Sequence, residues 1–410
     1  MERYIEITDQ IYYDSVWNKF VKSKKKLHSD VPKNLCRFIP PYSKELVENN
    51  LSLSRQQLIL CSTEQCNLRC EYCIYYDTKY QATGPLKKMG LDIAKKAIIE
   101  FLENSKNSPR RCISFYGGEP LLNFDLIRAC VEFVESQNLL HDMDFTITTN
   151  GVLLNKEIAD YLYLHRFIVS VSIDGPKEIH NRYRKSSRTN DSFETIINNI
   201  NYLISTDPNY WRESLDFIGV LAPPVDIETI SDFFELTPYR FTLLNCDITH
   251  HMKELLSQFT IDSIENDEEK NYQKMYLDNK PRTNSAFILE AQLTKDQINR
   301  KPYLPFSAGR YCVPGLKRTF VSVDGDYYIC EKDDQNRNHI IGNINTGIDQ
   351  EKLVKLSQEA KQFHEDHCTD CWASRFCPMC FASMSEYPYC CEQFKSSTKE
   401  AMKAILEGKV

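Results

Sequence analysis

Three cysteines, Cys66, Cys70 and Cys73, stand in the run CNLRCEYC with three and then two residues between them. Thiolates at this spacing select soft metals, and three of them can grip one corner of an iron-sulfur cubane while leaving one iron open. An open coordination position admits a further ligand, so the arrangement can carry chemistry as well as structure. The same trio can hold zinc or stay as unligated redox thiols, and the spacing leaves those readings open.

A second set lies far downstream. Cys312 is followed after twelve residues by Gly325 and after four more by Cys330; then comes Cys368-x2-Cys371-x5-Cys377-x2-Cys380, with Cys390 and Cys391 nearby. These thiolates exceed what one zinc ion needs, so a paired zinc ribbon and two auxiliary iron-sulfur sites are both open on number and spacing. Cys61, Cys112 and Cys130 are expected in the apolar core, and Cys36 or Cys246 can reach a cluster only through tertiary folding. Sixteen cysteines behind a start, MERYIEITDQ, without the order of a secretory leader are hard to read as disulfides. The cytoplasm is therefore the expected compartment. No apolar run approaches about eighteen residues, so no membrane span is expected. A formal charge of -7 argues against a dominant nucleic-acid surface.

The elements that position these residues alternate. An apolar run from Gln57 delivers the first cysteine loop, and a helical stripe of Leu91, Ala94, Ile98 and Phe101 follows. CISFYGG, FTITTNG, FIVSVSIDG, LDFIGVLA and RFTLL read as strands separated by helices, giving six strand candidates between residues 57 and 245. Strand and helix in alternation imply crossovers around a parallel sheet, here a partial (β/α)6 barrel of α/β class. Cys66 to Cys73, Gly117 to Pro120, Thr148 to Gly151 and Ser172 to Asp174 then fall at the carboxyl ends of strands, where ligands bind. TFVSVDGDYYIC reads as a hairpin turning at Asp324-Gly325, and residues 351–364 as a helix. The basic run Lys22, Lys24, Lys25 and Lys26 reads as a solvated helix face, and the acidic run from Asp262 to Glu269 as a solvated face.

On CNLRCEYC, with Tyr72 before the final cysteine, the sequence resembles the radical S-adenosylmethionine superfamily. That resemblance implies a [4Fe-4S] cluster at Cys66, Cys70 and Cys73 whose open iron takes the amino and carboxyl groups of S-adenosylmethionine. Reduction then yields methionine and a 5'-deoxyadenosyl radical. Gly117, Gly118, Glu119 and Pro120, forty-four residues after Cys73, match the family's methionine-amino-binding motif. By the same resemblance Thr148 and Asn150 belong to the cofactor-binding turn, Ser172 and Asp174 to the next strand end, and Arg184 to the cofactor carboxylate, with Arg182 its competitor. LDFIGVLAPP departs from the family's adenine-supporting pattern, so that contact is unassigned.

The tail resembles the SPASM domain, the cysteine-rich extension of radical enzymes that modify peptides, although the Cys377-to-Cys380 gap is one residue short of its usual pattern. The resemblance assigns Cys312, Cys330 and Cys380 to one auxiliary cluster, and Cys368, Cys371, Cys377 and either Cys390 or Cys391 to the other. Glu331, directly after Cys330, stands where sulfatase-maturing relatives have a base, though a simple ion pair explains it equally well.

The implied organisation is an N-terminal extension at residues 1–56, a radical core at 57–245, a bridge at 246–308, a SPASM region at 309–394 and a tail at 395–410. The extension is short for a peptide-recognition domain, so recognition is abbreviated or supplied by a separate protein. Its Tyr4, Tyr12, Tyr13 and Trp17 are expected to pack rather than to bind a leader. The leading functional expectation is a maturase that installs intramolecular thioether crosslinks in a ribosomally made, cysteine-containing peptide, with flavodoxin or ferredoxin as electron donor. A carbon-carbon crosslinking maturase, an anaerobic sulfatase maturase that makes formylglycine, and a non-catalytic zinc-dependent peptide-binding protein are the alternatives.

Overall fold

Strict alternation of buried and half-buried residues in Met143–Thr149 and Ile168–Ser172 marks strands with one face packed under helices. The computed structural model describes residues 3–28, 55–76, 79, 85–137, 139, 143–186, 191–222, 227–245, 294–295, 298, 315, 317–332, 337–368, 371–373, 376–377 and 389–408. The chain divides into two compact units, one of residues 1–49, 273–314 and 349–410, the other of residues 50–272 and 315–348.

The first unit contains β1 (Tyr4–Thr8), β2 (Ile11–Asp14) and β3 (Lys19–Lys22), an antiparallel meander. Lys22 ends β3, and residues 23–28 are not helical, which corrects the reading of that basic run. The signal was present: Ile5 and Ile7 are buried two apart, the period of a strand rather than a helix. Ile5, Ile7 and Tyr13 pack with Phe376 and Met402, so the beginning and end of the chain share one core. Tyr12 and Tyr13 are buried as expected, Tyr4 is half-buried and Trp17 is 41% exposed, against the packing expected of it; the Tyr13 hydroxyl donates to Asn18 at 2.8 Å.

The second unit is built on β4 (Gln57–Thr63), β6 (Arg111–Gly117), β7 (Met143–Thr149), β8 (Ile168–Ser172), β10 (Leu215–Leu221) and β11 (Arg240–Asn245). All six are parallel, and each pairs with the next along the chain. The strand order never reverses, as in a barrel rather than a doubly wound sheet. Helices α1 (Leu91–Glu103), α2 (Phe124–Ser136), α3 (Lys156–Leu164), α4 (Lys177–Tyr183), α5 (Phe193–Thr206), α6 (Pro208–Ser214) and α7 (Ile227–Glu235) occupy the crossovers. Ala94, Ala97, Ile98 and Phe101 form the buried stripe of α1; Leu91, its first residue, is instead 37% exposed.

On the far side of β4 the sheet continues through β12 (Arg318–Val321), which is parallel to it, and then β13 (Asp326–Tyr328), β14 (Ile340–Asn343) and β15 (Gly347–Ile348), all antiparallel. The β12–β13 hairpin turns at Asp324-Gly325 as expected, with Gly325 at φ 84°, where a side chain would be strained. Two three-residue strands, β5 (Leu68–Cys70) and β9 (Arg184–Ser186), form a separate antiparallel ribbon. Residues 351–364 lie within a helix, α8 (Gln350–His367), and the chain closes with α9 (Tyr389–Leu406). Among the described residues, no helix is long and apolar enough to cross a membrane. The acidic run, Cys36, Cys246, Cys312 and Cys380 lie outside the described residues.

Candidate active site

The loop leaving β4 carries the cysteine trio, and the backbone of the next strand end holds that loop. Gly118 N donates to Thr63 O, and Glu119 N to Gln65 O, both at 2.8 Å. A Cβ on Gly118 would overlap Gln65 O, and Gly117, at φ 135°, lies equally close to Thr63 O. Both glycines are therefore required by close approach to the protein's own cysteine loop.

Glu119 is fully buried and satisfied by the chain. Its Oε1 accepts from Leu121 N at 3.1 Å and Thr149 Oγ1 at 2.7 Å, and its Oε2 from Asn150 N at 2.7 Å. A carboxylate offers about four acceptor positions, so capacity for about one further donor is left. Burial raises the Glu119 pKa to about 7 despite these three donors. Pro120 is buried at the start of the short turn that Glu119 caps. Asn150 then reaches back: its Nδ2 donates to Asn67 Oδ1 at 2.8 Å and lies 3.7 Å from Cys66 Sγ. The GGEP turn, the turn after β7 and the cysteine loop thus form one clamp.

Cys70 and Cys73 are held differently. Cys73 N donates to Cys70 O at 3.0 Å, and Glu71 N to Tyr183 O at 3.2 Å. Cys70 is register partner to Arg184 across the β5–β9 ribbon. Arg184, buried, makes a bidentate pair with Asp174, with Nε to Oδ2 at 2.9 Å and one terminal nitrogen to Oδ1 at 3.0 Å. Asp174 also accepts from the Tyr72 hydroxyl at 2.5 Å and from Val220 N at 2.9 Å. The Arg184 guanidinium lies 5.5 Å from the centre of the Tyr72 ring. Burial disfavours the Arg184 charge, but Asp174 more than offsets it and the pKa rises. Arg182 sits in the last turn of α4.

Thr148 and Ser172 project from β7 and β8 on the half-buried face, opposite the helix-covered one bearing Phe145, Ile147, Val169 and Val171. Ser114 and Thr146 share this polar face, their hydroxyls 2.6 Å apart. It gives a ligand hydroxyl groups to bond. Outside the trio, Cys61 and Cys130 are buried as expected, whereas Cys112 is only half-buried, against Ser114 and Thr146.

Burial raises all three loop thiols, Cys66 to about 11, and their mutual proximity adds to it for Cys66 and Cys70. Without a cation they stay protonated; a bound metal would ionise them. No three His, Cys, Asp or Glu side chains among the described residues gather closely enough for a single metal ion. A cubane places each thiolate on a different iron, so its ligands stand further apart than those of one ion. Three half-buried thiols on one loop, with Arg184 in register beside Cys70, have the donor chemistry to fit that group.

Of the downstream residues, Cys330 Sγ accepts from Lys332 N at 3.2 Å. Glu331 Oε1 accepts from Arg318 at 2.7 Å, the ion pair foreseen for it, while its buried Oε2 has no hydrogen-bond partner among the described residues. The Tyr75 hydroxyl, from the cysteine loop, donates to Glu331 O at 3.4 Å. Cys368, Cys371, Cys377 and Cys391 belong to the other unit and are half-buried; Cys371 N donates to Cys368 O at 3.1 Å. Cys390 lies in α9, with its side chain outside the described residues.

Sequence reasoning missed the Tyr72–Asp174 bond, the Asn67–Asn150 bond and the part played by His180. His180 Nδ1 accepts from Asp174 N at 3.4 Å, and its Nε2 lies 3.2 Å from Ser192 Oγ, which donates to Arg184 O at 3.0 Å. Burial and then Arg184 lower its pKa to about 4, so the ring is neutral. Only the proximity of Asp174, His180 and Arg184 within SIDGPKEIHNRYR could have drawn attention to them.

Residues 60–235 match the family described as the radical SAM superfamily. The chain is 32% identical over 197 residues to a cysteine-type anaerobic sulfatase-maturating enzyme of Clostridium novyi (strain NT), covering 46% of this chain and 50% of the relative. A serine-type anaerobic sulfatase-maturating enzyme of Bacteroides thetaiotaomicron is 33% identical over 140 residues, 34% of each chain. The radical SAM cyclopropyl synthase TigE of Paramaledivibacter caminithermalis is 30% identical over 223 residues, 49% of this chain and 45% of that one. The chain thus spans half or less of these curated relatives. In fold it is similar to anSMEcpe with bound AdoMet, at a TM-score of 0.63 and 19% identity, over 87% of this chain and 95% of that one.

Proposed function

We propose, from the radical SAM superfamily domain that residues 60–235 form, that this enzyme oxidises a cysteine or serine side chain in a peptide segment of a partner protein, in the manner of anaerobic sulfatase maturation. The observation that carries the proposal is the clamped trio of half-buried thiols on the loop after β4, beside a polar strand face. The names of the curated relatives supply the substrate class. Both sulfatase-maturating relatives support it over the thioether-forming peptide maturase that the cysteine-rich tail favours in sequence. The partial barrel, the SPASM assignment, the two auxiliary clusters, the cytoplasmic setting and the external electron donor belong to the same proposal.

A [4Fe-4S] cluster with S-adenosylmethionine supplies, when bound, one-electron cleavage and abstraction of a hydrogen atom from carbon. Cys66, Cys70 and Cys73 would hold it. Asn150 fixes the approach of Asn67 and Cys66, Glu119 locks the two turns together, and Arg184 places positive charge beside Cys70. Thr148 and Ser172 offer hydroxyls to the ligand's polar edge. Glu331 Oε2 is the acceptor assigned to the proton that leaves the substrate thiol or hydroxyl, with Arg318 holding the other oxygen. The conversion takes two electrons from the carbon-heteroatom unit: one hydrogen atom leaves carbon, one proton leaves the heteroatom for Glu331, and the remaining electron goes to an auxiliary iron-sulfur centre that the downstream cysteines would hold; the thioaldehyde made from cysteine then exchanges its sulfur for water oxygen, releasing sulfide and leaving a carbonyl.

Anaerobic incubation with a cysteine peptide and its serine counterpart, read by mass spectrometry, tests this. Expected are loss of sulfur from the cysteine peptide and a product carbonyl captured by a hydrazide. A product that has lost two hydrogens but retains sulfur, with its thiol closed to alkylation, would establish the thioether reading instead.

A further inference from the structure

Asp174 and Arg184 form more than a pair. Their side chains meet in two hydrogen bonds, and their backbones are joined by a second route, from Asp174 N to His180 Nδ1, from His180 Nε2 to Ser192 Oγ, and from Ser192 to Arg184 O. Because Nδ1 accepts, Nε2 carries the proton and donates, so the chain has one direction. The result is a closed ring that fixes both charges at the side-chain and the main-chain ends. Cys70 is tied to this ring through its register with Arg184, and Tyr72 ties in through Asp174. All members except half-buried Cys70 are buried, so solvent screens their charges weakly.

We infer that the Asp174–Arg184 ring positions the Cys70 segment and sets how readily an electron is taken up at the Cys66, Cys70 and Cys73 trio, Arg184 favouring uptake and Asp174 opposing it. This deepens the radical reading and rests on it. Adding one electron to a cluster adds negative charge, so a fixed cation beside its ligand favours the reduced form and a fixed anion disfavours it. Arg184 and Asp174 are therefore positioning and electrostatic residues for the cysteine loop.

The test is a redox titration of the anaerobically reconstituted full chain, following the electron paramagnetic resonance signal of the reduced cluster. At a fixed potential, Arg184→Met should lower the reduced-to-oxidised ratio about tenfold, which is ~59 mV for one electron. Asp174→Asn should raise it about tenfold. The double variant should return to within about threefold of wild type, and Arg184→Lys, which keeps the charge, should stay there. A merely structural role predicts shifts of one sign that accumulate in the double variant; that pattern, or no shift in any variant, overturns the inference. If Arg184→Met does not fold, Asp174→Asn and Arg184→Lys decide: no rise in the first, or a large fall in the second, overturns it equally. Failure of wild type to take up iron and sulfide would instead reject the radical reading itself.

Discussion

Two buried titratable residues near the cysteine loop push stability in opposite directions. The Glu119 pKa is raised to about 7 from a reference of 4.5, so between those values the unfolded chain is ionised while the folded one holds its proton. Its contribution is therefore greatest below pH 4.5 and falls as pH rises to about 7, by about 3 kcal/mol. The His180 pKa is lowered to about 4 from 6.5, so the unfolded chain holds the extra proton across that range. Its contribution is complete above pH 6.5 and is lost as pH falls towards 4, again by about 3 kcal/mol. In cofactor-free protein the two nearly cancel. Denaturant unfolding from pH 4 to 7.5 should show stability rising with pH more steeply in Glu119→Gln than in wild type, and less steeply in His180→Asn. Parallel curves for either variant and wild type would contradict the assigned environment. Glu119 was visible in the sequence as part of GGEP, but its partners were not. Thr149 and Asn150 lie about thirty residues away, and only the pairing of β6 with β7 brings them under the carboxylate.

At the scale of elements, the clamp depends on backbone meeting backbone. Gly118→Ala forces a methyl group against Gln65 O and Glu64 O, neither of which is the end of a flexible side chain. The substitution should cost more than about 2 kcal/mol, and anaerobic loading should give less iron per chain because the loop bearing Cys66 must shift. Wild-type melting and iron content would show that the turn does not hold the loop. The parallel strands were legible because the first five combine β-branched residues with a buried face and are each followed by a helix. β5 and β9 were not, since three residues give no period to detect and their pairing joins positions more than a hundred residues apart. The first meander went unread for another reason. Ile5 and Ile7 did show a strand period, but two positions make a short signal, and the basic run after them read as a helix face.

For the whole molecule, the two ends of the chain make one core. Tyr13 meets Phe376 edge to face with centroids 5.6 Å apart and lies 6.4 Å from Trp372, while Phe376 N donates to Ala373 O at 2.8 Å. Cys371 and Cys377 bracket these aromatic residues, so the packing of the N-terminal meander governs their presentation. Phe376→Ala, which empties a fully buried site, should destabilise this unit by about 3–5 kcal/mol, visible as an early thermal transition. Unchanged melting would separate the meander from the cysteine segment. The sequence divided the chain into successive regions along its length; the structure instead joins residues 1–49 with residues 349–410 and adds β12 to β15 to the parallel sheet. Such long-range closure depends on which apolar faces meet, and local patterning carries no record of that.

The most direct measurement is the metal content and cofactor cleavage of the full chain purified and reconstituted without oxygen. Wild type should contain iron and sulfide and release 5'-deoxyadenosine from S-adenosylmethionine on reduction; Cys70→Ala should release none while retaining its fold. Zinc alone at Cys66, Cys70 and Cys73, with no cleavage by a folded and fully metallated protein, would contradict the account.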